Sequence, residues 1–286
     1  MVSFNGGLTK LYGLYSATVI IHIVGLLLII IIVISKREHP FAKRYTWYFY
    51  LGGAVGVLTT VFNNFAFTKI SVSSILALGL FGQSIAALII DQYGLLNMQK
   101  HVFRKRKISG LLLILFGIIS MTNNFHFLAV LFSFFAGANI VVSRTLNARL
   151  AGYTSVRIST FYNYLIGIIF AIAVCFLFGK NEAAFSGFFI SARIYVYFGG
   201  ILGVCVVLLN IITVTKVSAF YLSLFSFIGQ IFSGVIIDAI ISQAFSPRNI
   251  IGGFFVTAGL CVNLLLDRKK YNYPEETLAE AQRTQR

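Results

Sequence analysis

Long apolar stretches alternate with short polar segments along the chain, and this pattern predicts membrane-spanning helices. Most of the stretches reach the roughly 20 residues that cross a hydrocarbon core. A transmembrane barrel would need strands of about ten residues with alternating polarity, and no segment shows that period. We therefore predict an all-α, polytopic helical membrane protein with nine spans. Stretches A to I cover residues 17–34, 46–67, 71–91, 108–122, 125–143, 157–178, 193–215, 218–241 and 249–266.

An internal repeat relates these stretches. GQSIAALIID (Gly82–Asp91) returns as GQIFSGVIID (Gly229–Asp238), 147 positions later, and 13 of the 41 positions from Leu51 to Asp91 match at that offset. Apolar composition alone does not align an Asn, a Lys, a Gly-Gln pair and an Asp in one register. Stretches B and C thus pair with G and H, five stretches later, and this odd separation means that the copies are inverted. Inverted repeats around a midplane site are common in secondary transporters.

A weaker similarity extends the repeat towards the N-terminus. FNGGL (Phe4–Leu8) resembles LNARL (Leu146–Leu150), and Gly25 falls opposite Gly167, both at an offset of 142. LNARL ends helix E, whereas FNGGL lies close to Met1. We therefore expect a ten-helix, 5+5 inverted repeat whose first helix is missing or truncated. In that case an in-frame apolar segment is encoded upstream; a true nine-helix protein is the alternative.

These boundaries divide the chain into three parts. Residues 1–122 form a first membrane repeat that lacks most of its first helix, residues 123–267 form a second, inverted membrane repeat, and residues 268–286 form a cytoplasmic polar tail.

Basic residues indicate which side of the membrane is cytoplasmic. The formal net charge is +15 at pH 7, and most Lys and Arg residues lie beside the apolar stretches, as in SKREHPFAKR (Ser35–Arg44) and KHVFRKRK (Lys100–Lys107). Such clusters usually face the cytoplasm and anionic headgroups, so this charge does not indicate a nucleic-acid partner. We predict a multi-pass inner-membrane protein with cytoplasmic loops after A, C, E, G and I and a cytoplasmic C-terminus.

The order of the residue types that the two copies share resembles a known family. GG-x-x-G, then an Asn, then GQ followed by D-x-x-G, with N-A-R-L in the other copy, is similar to the YdcZ-type family of the drug/metabolite transporter superfamily. The resemblance covers nearly the whole chain as two fused copies. It implies a ten-helix inverted-repeat carrier whose cavity is lined by the helices equivalent to B, C, E, G and H and by the missing first helix. DAII (Asp238–Ile241) departs from the pattern, since DQYG (Asp91–Gly94) stands in the first copy.

Amide side chains interrupt the apolar stretches near mid-depth. An unpaired amide in an apolar medium costs a few kcal/mol, so each must either hydrogen-bond to a neighbouring helix or face a solute in a wet cavity. We predict that they line a substrate cavity in which Gln83 and Gln230 form a pseudo-symmetric pair. The candidates are Asn63, Gln83, Asn139, Asn210 and Gln230.

Few charged residues lie within or beside the spans. Asp91 and Asp238 end their apolar helices at opposite faces, and either could couple transport to protons or gate it; a structural role at the helix end is the alternative. Arg144 and Arg149 follow stretch E, where they either contact an anion or lipid phosphate or extend to the headgroups. The acid-poor, amide-rich spans favour a neutral, zwitterionic or weakly anionic solute.

These observations predict a secondary-type transporter that moves a small metabolite or drug-like solute across the inner membrane by alternating access. A lipid or lipid-linked flippase and a non-transporting scaffold are the alternatives. We expect no enzyme, because H-E-x-x-H and G-x-S-x-G motifs are absent, and no cofactor or metal, because three cysteines in apolar stretches match no ligand motif. The expected partners are the lipid bilayer and a small-molecule solute; a coupling proton and a homodimer are left open.

The charge distribution predicts a topology that labelling can test. In a cysteine-free background, a membrane-impermeant maleimide applied from outside should label a cysteine at Ser246 and not one at Gln99, because the loop after stretch C carries the basic cluster. The reverse pattern would contradict the inverted repeat.

Overall fold

The computed structural model describes residues 1–41, 45–97, 107–121, 126–180, 182, 191, 193–214 and 247–268, and scattered positions at 226, 229–230, 233–234, 236–237 and 240. Within these ranges the chain is helical, without strands. The α-helices are α1 (Val2–Tyr12), α2 (Leu14–Ser35), α3 (Leu51–Phe67), α4 (Val72–Tyr93), α5 (Lys107–Met121), α6 (Phe127–Tyr153), α7 (Val156–Phe178), α8 (Phe198–Val214) and α9 (Pro247–Arg268). Short 3-10 helices cover Trp47–Tyr50, Leu95–Asn97 and Ile194–Tyr197.

The predicted all-helical class is confirmed for the described residues. Five segments, which correspond to stretches A, C, E, F and G, are long and apolar enough to cross a membrane: Leu14–Ser35, Val72–Tyr93, Phe127–Tyr153, Val156–Phe178 and Ile194–Thr213. Stretches B, D and I correspond to α3, α5 and α9. The span count of nine stays a prediction. Most of stretch H, Asp238, the polar tail beyond residue 268 and the labelling positions Gln99 and Ser246 lie outside the described residues.

Helix α6 extends beyond the apolar stretch that predicts it. Stretch E ends at residue 143 and LNARL (Leu146–Leu150) is expected to end the helix, which continues to Tyr153. Arg144 and Asn147 are each only 3% exposed, so these side chains lie between helices. The extra turns therefore carry polar groups into the bundle, where they meet α4 and α7.

Serine and glycine residues set the helix ends. Ser71 caps α4 by accepting a hydrogen bond from the Ser74 amide at 3.2 Å, and Ser155 caps α7 by accepting one from the Ile158 amide at 3.1 Å. Each serine satisfies an amide that has no partner within its own helix. At the other end of α4, Gly94 adopts a left-handed conformation with φ of 62°, which ends the helix.

The contacts of α3 recur at α8 with partners taken from the opposite half. Gly52 of α3 lies so close to Asn147 of α6 that a Cβ would overlap the amide oxygen, and Gly199 of α8 lies equally close to Asn5 of α1. Gly199 is the repeat counterpart of Gly52, and Asn5 is the counterpart of Asn147. The two halves therefore exchange equivalent contacts.

Two further sets of glycine contacts are exchanged in the same way. Each places a glycine of one half against a backbone carbonyl or ring of the other half, with no room for a Cβ. The counterpart pairs are Gly53–Asn163 with Gly200–Ile21, and Gly167–His22 with Gly25–Tyr164.

Helices α5 and α9 pack as an antiparallel pair through glycines spaced seven residues apart. A Cβ on Gly117 would lie 2.6 Å from the Gly252 carbonyl oxygen, and one on Gly259 would lie 2.6 Å from the Gly110 carbonyl oxygen. Gly252 and Gly259 follow Gly110 and Gly117 by 142 positions, so this contact is also pseudo-symmetric. Small residues let membrane helices approach closely where lipid gives no hydrophobic drive for association.

Two glutamates join α2 to α7 at opposite ends of the pair. Glu182, after α7, accepts hydrogen bonds from the Tyr15 and Ser16 amides at 2.9 Å and 2.7 Å, at the start of α2. Glu38, after α2, accepts from Ser155 Oγ at 2.6 Å and from Arg157 Nε at 2.7 Å, at the start of α7. A carboxylate at a helix N-terminus satisfies free amides and complements the helix dipole.

Helices α4 and α6 cross at a second group of glycines. A Cβ on Gly82 would overlap the Phe134 carbonyl, and one on Gly137 would overlap the Gly79 carbonyl. Among the described residues, no atom lies within 4 Å of a Cβ built on Gly229, the repeat counterpart of Gly82. Gly82 therefore has a steric requirement for glycine that the described surroundings of Gly229 do not impose.

We predict opposite outcomes for alanine at these two positions. Gly82→Ala should destabilise the protein by about 1–3 kcal/mol, because the added methyl group meets backbone that cannot move freely. Gly229→Ala should be neutral or stabilise by up to about 1 kcal/mol, because alanine is the better helix former. Thermal unfolding of the detergent-purified variants measures both, and equal effects at the two positions would contradict the proposed packing.

The Glu38 contact predicts a pH-dependent stability. Burial opposes ionisation of Glu38, but the Ser155 hydroxyl and the Arg157 guanidinium outweigh it and hold the pKa of Glu38 below its ordinary value of 4.5. The stabilisation is therefore present above about pH 4.5 and is lost as the pH falls through the lowered pKa. Because Arg157 is 41% exposed, it should amount to about 1 kcal/mol or less.

Comparison with Glu38→Gln tests this contribution. The variant should melt about 1–3 °C below the parent protein at pH 7, and the difference should disappear as the pH is lowered past 4. A difference that persists at low pH would assign the effect to packing and not to the carboxylate.

Candidate functional site

Gln83, Asp91 and Arg144 form a buried polar cluster between α4 and α6. The three side chains are 2%, 7% and 3% exposed, respectively. Arg144 Nη1 donates to Gln83 Oε1 across 3.5 Å, which is long for a hydrogen bond, and Asp91 lies about two turns beyond Gln83 on α4. These three side chains are an amide, a carboxylate and a guanidinium, and their net charge is zero.

The opposite charges make burial of Arg144 tolerable. Removing one ion from water costs several kcal/mol even after relaxation, and an oppositely charged neighbour with good hydrogen bonds recovers much of that cost. Asp91 carries a charge of that sign on α4, and Gln83 supplies an amide oxygen to Arg144. Gln83 and Asp91 lie about three turns and about half a turn from the end of α4.

A second polar network joins α3, α6 and α7. Ser143 Oγ donates to the Gly52 carbonyl at 2.8 Å, Asn147 Nδ2 donates to Asn163 Oδ1 at 2.8 Å, and Ser159 Oγ donates to the Asn147 carbonyl at 2.6 Å. All of these side chains are buried. They pair with one another, which identifies the network as a link between helices.

The first half does not repeat this network. Met1 and Ile21 stand at the counterpart positions of Ser143 and Asn163. Asn5, the counterpart of Asn147, is 4% exposed, and its Oδ1 has no hydrogen bond to any described atom. The pseudo-symmetry therefore holds for backbone contacts at glycines and fails for the polar side chains around them.

The remaining predicted amides have a different environment from Gln83. All four are half-buried, and within the described part of the chain none has a side-chain hydrogen bond. Their donors and acceptors stay available to a ligand or to water. These residues are Asn63 on α3, Asn139 on α6, Asn210 on α8, and Gln230.

Arg149 makes a different contact from Arg144. Its Nε donates to the Leu96 carbonyl at 3.0 Å, in the turn that follows α4. Arg149 therefore joins the C-terminal ends of α4 and α6. Asp238 lies outside the described residues.

Sequence reasoning missed two buried amides. Asn163 belongs to the α3–α6–α7 network, and Asn64 is 1% exposed and donates to Thr18 Oγ1 at 3.3 Å. Both lie opposite isoleucines in the other copy, Ile21 and Ile211. A search for residues shared by both copies overlooks them, although an amide within an apolar helix is itself a detectable signal.

We also looked for residues that could hold a metal ion. In the described ranges, no group of three His, Cys, Asp or Glu side chains converges. His22 Nδ1 donates to the Thr18 carbonyl at 2.8 Å, and its ring packs against Gly167 and Tyr164. His22 thus takes part in the contact between α2 and α7.

Comparisons with known proteins agree with this architecture. Residues 1–120 and 128–262 each match a family model described as "Putative inner membrane exporter, YdcZ". A solved structure, described only as "Crystal structure of protein", is similar with a TM-score of 0.63 and 15% sequence identity, over 88% of this chain and 87% of that chain. At this identity the similarity concerns the fold alone. No curated protein matches the chain.

Proposed function

The chain belongs to the YdcZ family of inner-membrane exporters, and from this premise we propose that it moves a small solute across the membrane by alternating access of its two halves. The observation that carries the proposal is the exchange of equivalent glycine contacts between the halves, together with half-buried amides inside the bundle. The equivalent contacts allow two related conformations, each open to one side of the membrane. The half-buried amides provide groups that can bind a solute.

Pseudo-symmetry supports alternation in the following way. When two halves make equivalent contacts with swapped partners, a structure open to one side has a counterpart of similar energy that opens to the other side. Gly52 with Asn147 and Gly199 with Asn5 are such a pair. Close backbone contacts at these glycines would allow each half to move as a unit.

The half-buried amides support binding of a solute with hydrogen-bonding groups. An amide offers two N–H donors and a carbonyl acceptor. Asn63 and Asn210 occupy the same position on α3 and α8, and neither has a side-chain hydrogen bond within the described residues. We propose that they contact the solute directly, with Asn139 and Gln230 as further contributors.

Neither arginine favours the flippase alternative. Arg144 is 3% exposed, and Arg149 donates its Nε proton to the Leu96 carbonyl. A lipid phosphate would require a guanidinium on the lipid-facing surface.

Adjacent asparagines on α3 provide a matched test. A thermal-shift screen over metabolite classes first identifies a solute that stabilises the purified protein, and its uptake into sealed vesicles is then measured. Asn63→Leu should keep the fold and weaken solute binding by about tenfold or more, because a lost hydrogen bond of roughly 1.5 kcal/mol corresponds to that factor.

Asn64→Leu is the control, because Asn64 is buried and bonded to Thr18. It should reduce stability by about 1 kcal/mol, as typical for such a bond in membranes, and leave solute affinity unchanged. Unaltered transport by Asn63→Leu would remove Asn63 from the proposed site, and absence of transport by the parent protein for every stabilising solute would refute the carrier.

A further inference from the structure

The segment that joins α2 to α3 is rich in aromatic residues and packs against the second half. The ring of Tyr50 lies 4.7 Å from that of Tyr162 on α7, and the ring of Phe49 lies 5.3 Å from that of Tyr153 at the end of α6, measured between centroids. The two halves therefore meet through aromatic rings at the end of the bundle where α2 and α6 end. The aromatic residues of the segment are Phe41, Tyr45, Trp47, Tyr48, Phe49 and Tyr50.

Tyrosine hydroxyls hold this segment against the second half. Tyr162 Oη donates to the Pro40 carbonyl at 2.9 Å, and Tyr45 Oη donates to the Tyr153 carbonyl at 3.2 Å. Within the segment, the Tyr45 amide donates to Tyr50 Oη at 3.1 Å. Because these bonds tie the segment to both α6 and α7, its outward-facing rings keep a fixed position relative to the second half.

Several of the rings face away from the protein. Phe41 is 73% exposed, Trp47 is 71% exposed and Tyr48 is 43% exposed. The segment follows directly after the apolar span Leu14–Ser35, so these rings lie at the level where a spanning helix leaves the hydrocarbon core. Trp and Tyr are enriched at that level, because the ring is apolar while its N–H or O–H group reaches water or headgroups. The exposed rings therefore fit the headgroup layer of a bilayer.

Basic side chains beside the rings carry positive charge that the protein does not neutralise. Lys36 and Arg37 are exposed, and neither forms an ion pair in the part of the chain that the structure describes. Glu38 is the only acid among residues 36–50, and its carboxylate is already bound at the start of α7. Lys36 and Arg37 are therefore available to an external anion, next to a surface that fits headgroups.

The equivalent segment at the opposite end of the bundle has a different charge. Residues 36–50 contain four Lys or Arg and one Glu, which gives a formal net charge of +3. Residues 179–197, between α7 and α8, contain two Lys or Arg and one Glu, which gives +1. Exposed rings occur at this end as well, since Tyr195 is 51% exposed. Aromatic residues at the interface are thus common to both ends, whereas the excess of positive charge belongs to one.

We propose that Lys36 and Arg37, together with the exposed rings of Phe41, Trp47 and Tyr48, form a binding surface for the headgroup of an anionic phospholipid. The rings lie among the headgroups, and the two basic side chains bind the lipid phosphate. The surface is separate from the half-buried amides and does not depend on the proposed transport function. Because the segment is bonded to α6 and α7, a lipid bound there also stabilises the contact between the two halves.

Trp47 provides the probe, because it is the only tryptophan in the chain. The full-length protein is reconstituted in phosphatidylcholine vesicles, and its fluorescence is measured as brominated phosphatidylglycerol or brominated phosphatidylcholine replaces the unlabelled lipid. Bromine on the acyl chain quenches tryptophan on contact. Brominated phosphatidylglycerol should quench with an apparent association constant about fivefold or more above that of brominated phosphatidylcholine, since one basic residue near an anionic surface contributes a factor of that order. High salt should remove this preference, because it screens exposed charges.

Matched double variants assign the preference to this surface. Lys36→Gln with Arg37→Gln should be quenched equally by the two lipids. Lys180→Gln with Arg193→Gln removes the same charge from the equivalent segment and should keep the preference of the parent protein. In detergent, added phosphatidylglycerol should raise the melting temperature of the parent protein and of the second variant in a saturable manner, and should not raise that of the first.

Several results would overturn the inference. Equal quenching of the parent protein by the two lipids would leave aromatic residues at the interface without headgroup selectivity. A preference that persists in the Lys36 and Arg37 variant, or that falls equally in both variants, would place the selectivity elsewhere. An equal rise in melting temperature with soluble glycerol phosphate would assign a site for a free anion in place of a lipid surface. If the Lys36 and Arg37 variant does not fold, the salt titration of the parent protein decides, and a preference unchanged by salt counts against the surface.

Discussion

Close approach of helix backbones at glycine is the constraint on which the structure depends. In lipid, there is no hydrophobic driving force for helix association, because lipid tails are as apolar as the side chains. Association relies on dispersion contacts and on hydrogen bonds between helices. Glycine permits both, because it brings carbonyl oxygens and side-chain amides within reach of the neighbouring backbone. The α5–α9 pair and the α4–α6 crossing depend on such contacts, and the buried polar groups lie beside them.

Much of this arrangement could be predicted from the sequence. The long apolar stretches identified the helices because composition and length suffice for a membrane span. The repeat identified Gly52 with Gly199 and Asn63 with Asn210, because a glycine or an amide in an apolar context carries more information than a leucine. The resemblance to the YdcZ-type family is confirmed by the match of both halves.

The remaining features could not be predicted for identifiable reasons. Arg144 is expected at the end of its helix, in contact with phosphate or headgroups, but it is buried within α6 and donates to Gln83 of α4, and such a contact between helices cannot be read from local composition. Asn163 was not predicted because the repeat highlights residues that both copies share, and the counterpart of Asn163 is Ile21. Repetition reveals residues that both halves share, whereas Asn163, Asn64 and Arg144 each stand in one half only.

The two glutamates between α2 and α7 have a consequence for biogenesis. Tyr15 and Glu182 are 167 residues apart in the chain, and Glu38 and Arg157 are 119 residues apart. During synthesis, the first turn of α2 enters the bilayer region long before the carboxylate that satisfies its amides exists. Water or headgroups must occupy those amides in the interval. The first long helix of the chain therefore reaches its final position only after α7 and Glu182 have been synthesised, so maturation of the first half depends on α7 of the second half.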